Sequence, residues 1–251
     1  GEAEARLGKS GILKNPSVIT ETKCAQFLEK GEYFYPSELE EKIRAQVEES
    51  CAKLGIVTLP ILMLHGPSRE QIEEGVLITI LNTLKKEGLV EHLGVSTRGE
   101  DPALAVIESG AFEVIQVAYS ILDQRMATRV LPLAKEKNIA IVNRSVLLKG
   151  SLTPLREQLH EVLEPLKQAS RQAEVIAKTI GTDLPSLAIR FAISNPLIAC
   201  SLIGTNKIEN LERSAQAAEA GPLPADTIKQ LKHLALTDPD QVDPARWPKL
   251  S

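Results

Sequence analysis

The sequence predicts an α/β fold in which parallel strands form a (β/α)8 barrel, and three observations support this prediction. Segments with strand character alternate with helical segments along the chain, and no two strands are joined by a hairpin signal. The clearest strand is an uninterrupted apolar run, which is typical of parallel strands covered on both faces. The sequence also lacks the glycine-rich phosphate-binding motifs that usually accompany a doubly wound sheet, and this favours a barrel.

Six segments are predicted as strands because β-branched and other apolar residues cluster in them. A (β/α)8 barrel of about 250 residues has eight strands, so only six of the eight βα units are visible in this sequence. The predicted strands are residues 17–23, 59–65, 90–96, 114–119, 139–142 and 199–203.

The helices between these strands are predicted from apolar residues that recur on one helical face. In the helix that begins at Pro36, for example, Leu39, Ile43 and Val47 share a face, and Gly55 ends the helix. The predicted helices are residues 2–9, 36–54, 70–87, 102–109, 128–137, 165–180, 185–194, 208–220 and 225–236.

The overall composition excludes several classes of protein. The 251 residues are 43% hydrophobic and 25% charged, with no break that would mark a linker, so we expect one domain over residues 1–251. The net charge of −4 and the scarcity of aromatic residues argue against a nucleic-acid-binding protein, and no apolar run is long enough to cross a membrane. Cys24, Cys51 and Cys200 lack the spacing of a metal site and are expected to be reduced thiols of a cytoplasmic protein.

Two residues with reactive side chains are predicted at the ends of neighbouring strands. His65 is the last residue of the apolar strand, and Gly66 and Pro67 follow it directly. Lys23 ends the preceding predicted strand. A lone histidine or lysine is more often a core or surface residue, but barrel enzymes place their catalytic groups at the carboxyl ends of strands. We therefore expect Lys23 and His65 to share a site.

A second candidate site follows the last predicted strand. Gly204, Thr205 and Asn206 lie between that strand and the helix over residues 208–220. The first backbone N–H groups of a helix attract anions, so this turn is suited to a phosphate.

Five segments that follow one another along most of the chain carry a further signal. They are residues 19–23 (ITETK), 61–66 (ILMLHG), 93–96 (LGVS), 116–123 (QVAYSILD) and 203–205 (IGT). In order and spacing they resemble the aldo-keto reductase family, and in particular its shorter-loop bacterial members. Gly1, Glu4, Leu7 and Gly8 are similar to the start of a helix of that family.

The resemblance implies a (β/α)8 barrel and an NAD(P)H-dependent oxidoreductase that reduces an aldehyde or ketone to an alcohol. The catalytic set of the family is Asp, Tyr, Lys and His, of which Lys23 and His65 match the last two. In the family the tyrosine hydroxyl donates the proton, and the lysine lowers the pKa of that hydroxyl through its positive charge. The histidine orients the carbonyl group, and a buried aspartate keeps the lysine charged.

The aspartate and tyrosine of this set would lie just before Gly1. Tyr33 and Tyr35 follow Lys23 in a predicted loop and do not match the donor. Two interpretations are open: the protein has an N-terminal segment that the sequence shown lacks, or the chain is a remnant without proton-donor chemistry. We expect the first, because a barrel without two adjacent strands would have exposed edges.

The resemblance also implies a nicotinamide cofactor, NADPH or alternatively NADH, and a small carbonyl compound as the substrate. Ser96 and Gln116 match residues that hold the nicotinamide carboxamide. Arg144 and Ser145 stand where a ring-stacking residue and a phosphate contact are usual. The remaining residues on the nucleotide side are Gly204, Thr205, Asn206, Asn210 and Ser214, with Lys207 as a nearby cation.

Two other functions remain open from the sequence. The chain could be a noncatalytic, nucleotide-binding or regulatory subunit of the same fold. It could also be a different barrel enzyme in which Lys23 forms a Schiff base with a carbonyl compound.

Overall fold

The computed structural model describes residues 2–248 of the chain. These residues form two compact units. The first unit contains the chain up to Gln116 together with Leu133–Ala140, and the second contains Val117–Pro132 and the chain from Ile141 onward. A single domain over residues 1–251 stays a prediction, and its ends, residue 1 and residues 249–251, lie outside the described residues.

Strands and helices alternate through the described part of the chain, as predicted. The strands are β1 (Glu21–Cys24), β2 (Leu59–His65), β3 (Val90–Ser96), β4 (Val114–Ala118), β5 (Ala140–Arg144) and β6 (Cys200–Ser201). The α-helices are α1 (Ala3–Ser10), α2 (Pro36–Leu54), α3 (Arg69–Glu73), α4 (Val76–Lys86), α5 (Glu100–Ser109), α6 (Val130–Glu136), α7 (Glu164–Thr179), α8 (Leu184–Ile193), α9 (Ile208–Glu219), α10 (Ala225–Lys232) and α11 (Pro239–Val242). The predicted α/β fold with six parallel strands is confirmed.

In the first unit, β1, β2, β3 and β4 lie side by side in chain order, and each neighbouring pair is parallel. Four of the seven residues of β2 are buried: Leu59, Leu62, Met63 and Leu64 are each no more than 1% exposed. A helix follows each of β1, β2 and β3. The carboxyl ends of the four parallel strands are therefore at one edge of the sheet.

Helix α2 shows how the pattern in the sequence becomes packing. Leu39, Ile43, Val47 and Leu54 are buried, as predicted from their spacing. Burial of one such side chain contributes about 1.5–3 kcal/mol. The helix ends at Gly55, which has φ = 70°, a left-handed conformation that glycine adopts without steric cost.

In the second unit, β5 and β6 are parallel, with Val142 level with Cys200 and Asn143 level with Ser201. Helix α8 is the most buried helix of this unit and contributes Phe191, whose ring stacks on Tyr119 with 5.5 Å between the ring centroids. These side chains form part of the apolar core of this unit.

Four predicted segments differ clearly from the structure. The helix predicted over residues 70–87 is wrong: it is divided into α3 and α4 by Gly75, which has φ = 75°. The strand predicted over residues 17–23 begins only at Glu21, and Ile19 is 72% exposed. The strand predicted over residues 199–203 has only the two residues of β6. The predicted loop after Lys23 also contains a 3₁₀ helix, Gln26–Lys30.

Residues 2–248 contain neither a helix suited to span a membrane nor a cluster suited to bind a metal ion. Within that range no helix combines the length and apolar character that crossing a membrane requires. Nor does that range contain a group of three or more His, Cys, Asp or Glu side chains placed to hold a metal ion.

Candidate active site

Four of the predicted site residues lie at the carboxyl ends of β1 to β4. In the register of the sheet, His65 is level with Ser96, and Ser96 is level with Gln116. Lys23 is level with Met63, two residues before His65, and therefore faces the same side of the sheet. Lys23 and His65 also line one cavity of about 390 Å³. The structure thus brings together the two residues that the sequence places at neighbouring strand ends.

The turn after His65 fixes its position against β3. Gly66 has φ = 68°, a conformation that favours glycine, so the chain can leave the sheet directly after the histidine. The Gly66 N–H donates a hydrogen bond to the Ser96 carbonyl oxygen at 2.9 Å. In the same way, the Thr97 N–H donates to the Gln116 carbonyl oxygen at 3.0 Å. The backbone hydrogen bonds therefore extend one residue beyond His65 and Ser96 and hold the site residues in register.

A polar line formed by Ser96, Gln116, Glu21 and Lys23 crosses this face of the sheet. Ser96 Oγ donates to Gln116 Oε1 at 3.1 Å, and Gln116 Nε2 donates to Glu21 Oε1 at 2.5 Å. The same Glu21 oxygen lies 3.8 Å from Lys23 Nζ. Gln116 is buried, with 1% of its surface exposed, whereas 31% of the Lys23 side chain is exposed. The line therefore runs from a buried amide to a partly solvated cation.

Glu21 is in an environment that disfavours its charge. Burial raises the pKa of the Glu21 carboxyl group above its ordinary value, and this effect outweighs the opposing effects of Lys23 and of the hydrogen bond from Gln116. A raised pKa means that the surrounding structure stabilises the ionised carboxylate less than water does. Glu21 is thus held at the site despite an electrostatic cost.

Because Gly94 has no side chain, neighbouring residues of β2 and β4 pack closely against β3 at this position. It is level with Met63 on β2 and with Val114 on β4. A Cβ atom at this position would lie 3.0 Å from Met63 Cγ and 3.0 Å from the Val114 carbonyl oxygen. Any larger residue at Gly94 would displace the side chain of Met63. Met63 is level with Lys23 and precedes His65 by two residues.

The second unit contains the predicted nucleotide-side residues. A cavity of about 330 Å³ is lined by Gly204, Thr205, Asn210 and Ser214. Asn210 and Ser214 are four residues apart on α9 and therefore share one helical face. The structure brings these four residues together, and Asn206 is exposed in the same turn.

The turn before α9 is ordered by its own side chains. Thr205 Oγ1 accepts a hydrogen bond from the Lys207 N–H at 3.1 Å, and Ser214 Oγ donates to the Asn210 carbonyl oxygen at 2.7 Å. Lys207 and Arg213 also line the cavity, so it has two cationic side chains at the N-terminal part of α9. Positive charge and a helix N-terminus together are suited to binding phosphate groups.

Arg144 is the last residue of β5 and Ser145 follows it, but neither is among the residues that line the α9 cavity. Arg144 Nη1 donates to Ser145 Oγ at 3.1 Å, and Ser145 has φ = 63°. Left-handed backbone in a serine costs about 1 kcal/mol or more, and such strain is often found at functional sites.

Among the sequence models of known families, one matches most of the chain. The sequence model of the Aldo/keto reductase family matches residues 1–235 of the chain. The chain belongs to the aldo/keto reductase family.

Relatives of known activity are reductases and dehydrogenases. The chain is 28% identical over 207 residues to the D-threo-aldose 1-dehydrogenase of a Pseudomonas species. This match covers 78% of the present chain and 63% of that dehydrogenase. It is 32% identical over 165 residues to the NADH-specific methylglyoxal reductase of Escherichia coli. This second match covers 61% of the present chain and 51% of that reductase. The matches to these two relatives thus span less than two thirds of the length of each.

A solved structure confirms the fold. An aldo-keto reductase from Bacillus halodurans, in its holo form, superposes with a TM-score of 0.77 and 23% sequence identity. The superposition covers 97% of this chain and 80% of that chain. At this identity the likeness shows the fold alone, and it confirms the predicted aldo-keto reductase barrel.

Two features of the site were not predicted from the sequence. Glu21 was seen only as part of a family motif, although its position two residues before Lys23 places both side chains on one face of β1. Arg213 was not singled out, although it lies three residues after Asn210 on α9. Regular spacing places both beside a predicted site residue, but the contact of Glu21 with Gln116 depends on the register of the strands.

The aromatic residues of the loop after Lys23 line a different cavity. Tyr33 and Phe34 contribute to a cavity of about 160 Å³ whose other lining residues include Leu77 of α4. Tyr33 and Tyr35 are 79% and 71% exposed. The part of this loop that reaches the Lys23 cavity is Cys24–Gln26 instead.

Proposed function

We propose that this chain is the nucleotide-binding and catalytic part of an NAD(P)H-dependent oxidoreductase that reduces an aldehyde or ketone to an alcohol. One observation carries the proposal: Lys23 and His65 line one cavity, and His65 is level with Ser96 and Gln116 on adjacent strands. Two proton-bearing groups thus lie beside two groups suited to an amide ligand. A family match alone would not supply that arrangement.

The residues present fit a nicotinamide cofactor. Ser96 and Gln116 have a hydroxyl group and a carboxamide at the strand ends, and these can donate to and accept from the carboxamide of a nicotinamide ring. The α9 cavity offers Lys207, Arg213 and a helix N-terminus to phosphate groups. When bound, the reduced cofactor supplies the hydride.

Lys23 and His65 would act on the charge that develops during the reaction. Addition of hydride to a carbonyl carbon leaves negative charge on the oxygen, which needs a proton and nearby positive charge. The Lys23 ammonium group supplies fixed positive charge, and the His65 imidazole can orient the carbonyl oxygen by a hydrogen bond. The proton-donating tyrosine implied by the resemblance stays a prediction, since none of the residues described around this cavity is a tyrosine.

The charge on α9 supports NADPH as the cofactor. Lys207 and Arg213 line one cavity, and Arg213 is paired only loosely with Asp183, at 3.7 Å between exposed side chains. An exposed pair of this kind contributes little, so Arg213 is available for a 2′-phosphate. The relative from Escherichia coli is named as NADH-specific, so this preference must be measured for this chain.

The test of the proposal is consumption of NADPH by the purified protein with a panel of aldehydes and ketones. In Lys23→Met we expect turnover to fall by at least about 100-fold, because the charge that assists proton transfer is lost. Lys86→Met, on an exposed position of α4, is the matched control and should keep the turnover of the parent. Near-parental turnover of Lys23→Met would refute the role of Lys23.

The same protein separates the other two functions. Nucleotide binding without turnover by the parent would support the noncatalytic subunit. A Schiff-base enzyme would form a borohydride-stable adduct on Lys23, and absence of an adduct would exclude it. The neighbouring Glu21 carboxylate argues against this third function, because an anion 3.8 Å away favours the protonated amine over the nucleophilic one.

A further inference from the structure

We propose that Glu21 is a positioning residue that keeps Lys23 charged and directed into the cavity it shares with His65. This inference rests on the proposed function, because it gives Lys23 a catalytic role. It concerns an interaction within this chain, between two residues of a single short strand, β1.

The geometry joins Glu21 to the catalytic lysine. Residues two apart on a strand project to the same face, and Glu21 Oε1 lies 3.8 Å from Lys23 Nζ. That distance is within the range of an ion pair but too long for a direct hydrogen bond. The carboxylate therefore acts on the lysine through its charge.

Gln116 fixes the carboxylate in this place. Its Nε2 donates to the same Glu21 oxygen that faces Lys23, and its Oε1 accepts from Ser96. Because Gln116 is 1% exposed and bonded at both ends, its amide cannot rotate freely. Glu21 is consequently held by a buried group, although it belongs to the short strand β1.

The environment of Glu21 argues for function over stability. Burial disfavours its charge, as the direction of its pKa shift shows. A carboxyl group at a position where burial disfavours its ionised form often has a catalytic or positioning role. The partner that benefits is Lys23, whose positive charge is what the proposed reaction needs.

The experiment measures the charge of Lys23 directly. The lysines of the full chain are methylated with ¹³C-formaldehyde under reducing conditions, which keeps their charge, and their methyl signals are followed by NMR as the pH is raised. The Lys23 signal is assigned as the one missing from Lys23→Arg. In Glu21→Gln we expect the titration midpoint of Lys23 to fall by roughly 1 pH unit, because the neighbouring anion is lost.

Two further variants separate charge from packing. Glu21→Asp keeps the anion and should restore most of the parental midpoint. Glu113→Gln is the matched control: Glu113 also pairs with a lysine, Lys85, and accepts a bond from the Leu93 N–H, so its loss should leave the Lys23 midpoint unchanged. We also expect the alkaline limb of the pH–turnover profile of Glu21→Gln to move to lower pH by the same amount of roughly 1 unit.

An unchanged Lys23 midpoint in Glu21→Gln would overturn the inference, as would an equal fall in Glu113→Gln. A lowered midpoint with parental turnover at every pH would overturn the link to the reaction. If the parent protein shows no turnover, the proposed function fails, but the NMR titration still decides whether Glu21 controls the charge of Lys23.

Discussion

Glu21 illustrates how a single side chain can oppose stability at a site. Its pKa is raised from an ordinary value of 4.5, mainly by burial. A carboxyl group with a raised pKa in the folded state stabilises the fold while it is protonated, below the pKa of the unfolded chain. That contribution is lost as the pH rises through the folded-state pKa.

This sign gives a prediction for stability. The neutral variant Glu21→Gln should have the same melting temperature as the parent near pH 4. It should be more stable by about 2 °C near pH 8, where the parent must ionise its carboxyl group. The measurement is thermal unfolding of both proteins at the two pH values. A variant that is less stable than the parent at pH 8 would show that Glu21 is a stabilising residue.

Site residues with a local sequence signal were predicted, whereas a residue whose role depends on a distant contact was not. Lys23 and His65 were predicted because each stands at the end of a predicted strand, and both line one cavity in the structure. Glu21 was missed because its role depends on Gln116, which is 95 positions away in the sequence. A contact of that separation follows from the register of four strands, which no local pattern specifies.

At the scale of elements, the type of each segment was predictable but some ends were not. The helix predicted over residues 70–87 has the apolar spacing of one helix, yet Gly75 divides it. No side chain would contact a Cβ atom at Gly75, so packing does not require the glycine. Its left-handed backbone alone ends one helix and starts the next, and an isolated glycine within a helical pattern is an ambiguous signal.

Helix α9 carries a prediction of cofactor preference. The double variant Lys207→Ala/Arg213→Ala should weaken binding of NADPH by at least about 10-fold, because two cations that can face a 2′-phosphate are lost. Binding of NADH should change much less. The measurement is the dissociation constant of each nucleotide by fluorescence titration.

The control for α9 is Glu219→Ala, which removes an exposed charge from the other end of the same helix. It should leave both dissociation constants close to those of the parent. Equal weakening of NADPH and NADH by the double variant would show that these cations do not read the 2′-phosphate.

At the scale of the whole molecule, the cysteines report on the two units. Cys24 and Cys51 are buried in the first unit, and Cys200 is exposed in the second. Burial raises the pKa of the Cys24 thiol to about 12, so this thiol has little reactive thiolate at neutral pH.

We therefore expect a thiol reagent to label one cysteine quickly in the native protein and all three in denaturant. The fast site should be absent from Cys200→Ser. The slow labelling of Cys24 then measures opening of the first unit. Fast labelling of two or more sites in the native protein would contradict the burial of the first unit.

The placement of the candidate residues in the two units also has an evolutionary consequence. The groups proposed for the carbonyl and the nicotinamide ring, Lys23, His65, Ser96 and Gln116, lie in the first unit, and those proposed for the nucleotide phosphates lie in the second. Mutations that change the preference between NADPH and NADH would thus fall in the second unit, and mutations that change the carbonyl substrate would fall in the first. A lineage, or an engineer, could exchange one of these properties while conserving the other.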